Sequence, residues 1–315
     1  MQLDKFFNLY AEEEKCKQFF KEQRELQGIK CKKCDSSSHF WIESQSKWQC
    51  KKCKYRTGLK CGTVMENSNL GYRVWLWALY LMSATKKGFS ALEMQRLIGH
   101  SRYEPIWLLM HKIRVSMGNR DNKYKLDGFT EMDEGFFEGH RKKEDEQAQA
   151  EQVKELDRQV KAVVAVSTTP IPIEKQQENR PATYPGYVKM SVVSSLNKIE
   201  VTYDAAQMVQ KSATVITDGR RCYTGLQEIC KVHKEVIVKD KKEVSKTFPW
   251  VHIAISNMKK KVIGLHHHVK NEYMQNYLNE FCYKFNRRKP GIKLFERLME
   301  AALACAWYKP MLNSG

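Results

Sequence analysis

Two cysteine pairs near the start of the chain, Cys31-x-x-Cys34 and Cys50-x-x-Cys53, constrain the fold more than any other feature. Each C-x-x-C is a tight turn that offers two sulfurs. The intervening residues, with Phe40, Trp41 and Trp48, are enough for a short covered hairpin. A segment this small has too little apolar surface to fold without a cross-link. Four sulfurs at this spacing match a tetrahedral Cys₄ site, so the sequence predicts a zinc ribbon over 29–58 with structural Zn²⁺. The N-terminus has no charged leader followed by an apolar core. The ten cysteines are therefore expected as reduced thiols in a cytoplasmic, nucleoid-associated setting, not as disulfides.

Charge narrows the partners. Lys and Arg number 54 against 36 Asp and Glu, a formal net charge of +18. Such an excess favours a polyanion, and lysines crowd the cysteine knuckles at Lys30, Lys32, Lys33, Lys51, Lys52 and Lys54. No apolar run approaches the ~20 residues that a membrane-crossing helix requires.

Residues 1–28 read as helical, closed by Gly28. Residues 59–120 read as a helical, helix-turn-helix-like region for DNA. Ser90 caps its first helix with Glu93 three residues on, Gly99 makes the turn, and the second helix runs through Trp107 and Arg114. Core packing is the alternative for that second helix. Residues 125–290 read as a mixed α/β layer with a charged insertion at 140–160, and 291–315 as a C-terminal helix. Within the layer, Pro170 to Gly186 reads as a loop, Ala205 to Lys211 as a short helix, Leu226 to Val232 as a helix before a strand at Glu235 to Val238, and Gly264 as a helix break.

Two apolar strands in this layer end on carboxylates: Thr130-Glu131-Met132-Asp133, broken at Gly135, and Ala213-Thr214-Val215-Ile216-Thr217-Asp218 before Gly219. Brought side by side, Asp133 and Asp218 offer the hard oxygen ligands that Mg²⁺ or Mn²⁺ takes in phosphoryl transfer. Taken singly, each is also a common turn former. Glu131 and Glu134 are possible helpers; Glu131 shares the strand face of Asp133 and Glu134 does not, so Glu131 is the better candidate.

At this point the chain resembles a family. Met132-Asp133-Glu134-Gly135-Phe136-Phe137, Thr217-Asp218-Gly219, Val251-His252-x-x-x-Ser256-Asn257-x-Lys259, Gly264-x-His266-His267 and Asn279-Glu280-Phe281-x-x-x-Phe285-Asn286-Arg287-Arg288 look like bacterial insertion-sequence transposases. The branch is the one with an N-terminal zinc ribbon and an RNase-H-like core. The resemblance runs in order from Lys30 to Arg288. It implies a metal-dependent catalytic set of Asp133, Asp218 and Asn257, the amide standing where other members carry a carboxylate. Glu272 and Glu280 are the nearest carboxylate substitutes for that third position. It also implies double-stranded DNA as partner, both element ends and target, and at least a dimer on DNA. Lys259, Lys260, His252, Arg287 and Arg288 are the residues expected against DNA. A catalytically silent DNA-binding regulator and an RNase-H-like nuclease remain the alternative readings.

Overall fold

The computed structural model describes residues 3–140, 159–178, 180–237, 247–266, 269–289 and 293–306. Nearly all of the charged insertion, and His267 and His268 of the histidine run, lie outside the described residues. The chain divides into two compact units: Met1–Asn119 with Lys293–Gly315, and Arg120–Ile292. Among the described residues no helix is long and apolar enough to cross a membrane.

In the first unit the predicted single N-terminal helix is two, α1 (Leu3–Leu9) and α2 (Glu13–Gln27). Gly28, at φ 81°, closes the second in a conformation that suits glycine. The ribbon is a three-stranded antiparallel sheet of β1 (His39–Ile42), β2 (Lys47–Cys50) and β3 (Arg56–Gly58), one strand more than the predicted hairpin. Helix α3 (Tyr72–Ala84) starts where the Glu13 carboxylate accepts hydrogen bonds from Tyr72 N and Arg73 N. Helix α4 (Ala91–Ile98) is capped by Ser90 Oγ, which accepts from Glu93 N at 3.1 Å, and closes on Gly99 at φ 73°.

Helix α5 (Tyr103–Asp121) follows. It stands in the predicted recognition position, yet Ile106, Leu109, Met110, Ile113 and Met117 are buried, and so are Lys112 and Arg114. Lys112 Nζ donates to Glu66 O at 2.8 Å. Packing dominates this helix beyond its first turn. The C-terminal helix, Leu294–Leu303, is shorter than read from the sequence and belongs to this first unit. There Phe295 packs edge-on against Phe6 and Tyr80, with ring centroids 5.3 and 5.5 Å apart.

The second unit is built on a sheet ordered β6-β5-β4-β7-β8. Strands β4 (Phe129–His140), β5 (Gln159–Pro170) and β6 (Thr183–Val193) form an antiparallel meander. Strands β7 (Thr214–Thr217) and β8 (Val232–Glu235) add on parallel to β4. A two-residue strand, Val269–Lys270, pairs with the far end of β4. Alternation along the strands gives the sheet two covered faces. One face carries Phe137, Val164, Val166, Val188 and Met190 beneath helices Pro249–His266 (α7) and Met274–Asn286 (α8). The other carries Met132, Val163, Ala165 and Val215 beneath helix Lys198–Met208 (α6) and the 3₁₀ helix Arg221–Glu228.

Several boundaries differ from the sequence reading, each for a local reason. Strand β4 does not break at Gly135; it runs through to His140, with Gly135 opposite Ala162. The Phe137 ring lies over Gly135 so closely that a Cβ would stand 2.9 Å from it, so the glycine is there for close packing. Pro185 and Gly186 lie inside β6 instead of in a loop. An edge strand tolerates proline, and the register shifts beside Ser167, whose Oγ accepts from Tyr187 N at 2.8 Å. Helix α6 starts at Lys198 and not at Ala205, because Asn197 Oδ1 accepts from Glu200 N while the Glu200 carboxylate reaches back to Ser194 N and Ser195 N. The helix expected over Leu226–Val232 is the 3₁₀ segment Arg221–Glu228, and β8 accordingly begins earlier, at Val232. Gly264 does not break α7, which continues to His266.

Candidate active site

Two clusters of ligand-bearing side chains stand out among the described residues: Cys31, Cys34, Cys50 and Cys53, and Asp133, Glu134 and Asp218.

The cysteine cluster follows from two matching knuckles. Asp35 N donates to Cys31 O at 2.9 Å, and Lys54 N donates to Cys50 O at 3.0 Å. Asp35 and Lys54 both take positive φ, 53° and 61°. The sulfurs converge: Cys31 to Cys53 and Cys34 to Cys53 are 3.4 Å apart, and Cys34 to Cys50 is 3.6 Å. Sulfurs at the corners of a tetrahedron with 2.3 Å zinc bonds stand about 3.8 Å apart, so the set fits zinc. Backbone N–H groups of Cys53 and Lys52 pull the Cys50 thiol down to about 6 against desolvation, while at Cys34 the Ser36 N–H is outweighed by the neighbouring sulfurs and burial, which push that thiol up, so the four share their protons as one set. Trp41 and Trp48 pack edge to face over the strands, at 4.8 Å.

The carboxylate cluster follows from strand register. β4 and β7 run parallel with Glu131 beside Ile216. Two residues further along each chain stand Asp133 and Asp218, carried to the same face and the same end. Their carboxylates and that of Glu134 all lie within 4.8 Å of one another. Asp133 is 17% exposed and Asp218 26%. Desolvation pushes both carboxyls above the usual range. His252 and Arg220 oppose the rise at Asp133, and the charge of Asp133 adds to it at Asp218. Two acids crowded in a half-buried pocket are a place where a cation lowers the energy.

Glu131 and Glu134 exchange the parts the sequence gave them. Glu131 does sit on the Asp133 face, but its Oε2 accepts from Trp250 N at 2.8 Å and Val251 N at 3.0 Å. It caps the N-terminus of α7 and is no helper at the carboxylate cluster. Desolvation pushes its carboxyl to about 7 against those two backbone bonds. Glu134, ranked second by the alternation rule, reaches the cluster because β7 has ended at Thr217 and leaves room past the strand edge. Its Oε2 accepts from Tyr223 Oη at 2.7 Å, and Oε1 pairs with Arg220. Arg220 Nε also lies 3.1 Å from Asp218 Oδ2.

Helix α7 supplies the remaining expected residues. His252 Nδ1 stands 3.6 Å from Asp133 Oδ2, so this histidine borders the carboxylate cluster. Asn257, Lys259 and Lys260 are exposed on the same helix. Asn257 falls roughly 140° around the helix from His252, whereas Ser256 and Lys259 fall close to its line. Glu280 is not near the acids: it is 1% exposed and paired with Lys261 at 3.1 Å and Lys284 at 2.8 Å. Glu272 is exposed in the short turn before α8.

At the basic end of α8 both arginines have partners within the protein. Arg287 is 12% exposed, pairs with Asp121 at 2.7 Å and lies over the Tyr283 ring. Arg288 donates to the carbonyls of Pro185, Gly186 and Phe285. Both guanidiniums hold the fold together. Asn286 completes the tie, accepting from Val188 N and donating to Asp121.

Residues 125–286, just over half of the chain, match the family described as ISXO2-like transposase domain. No curated protein matches the chain.

Proposed function

Because this chain belongs to the ISXO2-like transposase family, insertion-sequence transposases of the DDE superfamily, we propose that it cleaves the ends of a DNA element and joins the resulting 3′-OH ends to target DNA. One observation carries the reading: Asp133, within β4, and Asp218, just past the end of the adjacent parallel strand β7, are distant in sequence yet bring their carboxylates within 4.8 Å of each other. The sheet order β6-β5-β4-β7-β8, with β7 and β8 parallel to β4, supports an RNase-H-like description of the core.

Asp133 and Asp218 would hold Mg²⁺ or Mn²⁺, whose chemistry is to stabilise the attacking and leaving oxygens of an in-line displacement at phosphorus. His252 orients the Asp133 carboxylate from the other side. The family pattern assigns the third place to Asn257, a neutral oxygen donor that gives one negative charge fewer than a glutamate, and α7 would have to turn or shift to bring it to the acids, since it lies roughly 140° around the helix from His252. Lys259 and Lys260 offer point charges to phosphate. The ribbon, with its zinc, and the exposed edge of α4 and the first turn of α5 serve in binding the element's terminal repeats. Two ends must be joined, so at least two protomers act together. The reaction takes place on double-stranded DNA in the bacterial cytoplasm.

A strand-transfer assay tests this. A duplex with a pre-cut 3′-OH end, Mg²⁺ and target DNA should give joined products with the wild type and none with Asp133→Ala. Nicking without joining would make the protein a nuclease. DNA binding without either reaction would make it a regulator.

A further inference from the structure

We propose that Glu134 is a positioning residue: it clamps the loop that carries Asp218 to the sheet through Tyr223, and is not itself an ion ligand. This rests on the reading that Asp133 and Asp218 hold the ion. Neighbouring residues of β4 then divide the work, Asp133 presenting a ligand and Glu134 fixing the position of its partner.

Three observations support the clamp. First, Glu134 Oε2 accepts from the Tyr223 hydroxyl at 2.7 Å, while Oε1 stands against the Arg220 guanidinium as an ion pair. The Glu134 side chain is 2% exposed, while that of Arg220 is 56% exposed, so the tyrosine contributes more to the tie. Second, Tyr223 cannot follow a moving loop. It is 1% exposed and packed in the core with Met132, Val215 and Leu226. Two residues on, Gly225 lies so close to Thr202 of α6 that no Cβ would fit. Third, the segment between is short and turns sharply. β7 pairing ends at Thr217, Gly219 takes φ +76°, and Arg220 N donates to Asp218 Oδ1 at 3.2 Å. Asp218 therefore hangs between two fixed points, the strand and Tyr223. Glu134 ties the second point to β4, one residue from Asp133. The spacing of the two aspartates is set there.

The test is Mn²⁺ affinity of the full, zinc-loaded chain, followed by titration, together with deuterium uptake of residues 218–222 in the manganese-free protein. Tyr223→Phe removes only a hydroxyl and leaves the core packed. It should weaken Mn²⁺ roughly tenfold, and Glu134→Ala roughly thirtyfold, within the range expected when the partner orienting a ligand is lost. Both should raise uptake. Glu134→Gln keeps an oxygen that accepts from Tyr223, so it should stay within about threefold of wild type with unchanged uptake. The proposal is overturned if Glu134→Gln weakens Mn²⁺ as much as Asp218→Asn while Tyr223→Phe has no effect, since Glu134 would then be a ligand. If Asp218→Asn leaves Mn²⁺ affinity intact, the ion reading itself fails. Uptake then decides the clamp alone, and an unchanged value in Tyr223→Phe overturns it.

Discussion

The cysteine site and the carboxylate site are built in opposite ways. The four sulfurs come from two local turns, each closed by its own backbone hydrogen bond and a residue at positive φ. Spacing within each turn specifies the two pairs, and the short β1–β2 pairing, with His39 opposite Cys50, brings the turns together. The carboxylates come from two strands that meet only when the sheet forms in register. Their geometry depends on α7, on the 3₁₀ helix and on side chains that never face an ion. Local sites are therefore fragile to loss of their metal, and sheet-borne sites to loss of their supports.

The largest expected effect follows directly. Stripping zinc, or Cys31→Ser, should unfold the ribbon, because metal binding in such sites supplies on the order of 10 kcal/mol of folding energy. Hydrogen exchange should rise across 30–58 and stay unchanged across Arg120–Ile292. A rise in the second unit as well would break the contrast.

Next comes the carboxylate pair. Asp133→Ala should lower strand transfer by roughly 10³ or more. Thermal melting should show the protein as stable as before or more so, since removing one crowded acid relieves its neighbour. A drop in melting temperature that tracks the lost activity would mark Asp133 as structural.

A smaller loss is expected at Glu131. Glu131→Ala leaves Trp250 N and Val251 N without their acceptor, which costs about 2 kcal/mol. Glu131→Gln, which keeps an acceptor, should cost clearly less. Equilibrium denaturation reads both, and equal losses would mean that charge and not capping is what matters there. The smallest change is Gly135→Ala. The Phe137 ring must shift, at about 1–2 kcal/mol. A neutral result would show that the ring yields freely.

What was legible in the sequence follows the same division. The ribbon ligands, Gly28, Ser90 and Gly99 are local signals, and all are realised as caps, turns or converging sulfurs. Asp133 and Asp218 are legible as a pair because each ends an apolar run, and the structure does bring their carboxylates together, although β4 itself continues well past Asp133. Alternation placed Glu131 and Asp133 on one face correctly. It misjudged what each carboxylate does, because a helix N-terminus arrives over Glu131 and a strand ends beside Glu134. Neither event is visible within the strand. The start of α6 was legible and missed, since Asn197 followed by Glu200 is a capping pair. Arg287 and Arg288 read as a basic end because pattern does not reveal that Asp121 and three carbonyls wait opposite them.

The central claim is that Asp133 and Asp218 share a divalent ion. Anomalous scattering from Mn²⁺-soaked crystals tests it most directly. The account predicts a peak bonded to oxygens of both aspartates at about 2.1 Å, with Glu134 still held by Tyr223. A manganese peak elsewhere, or none between these two carboxylates at saturating Mn²⁺, would contradict it.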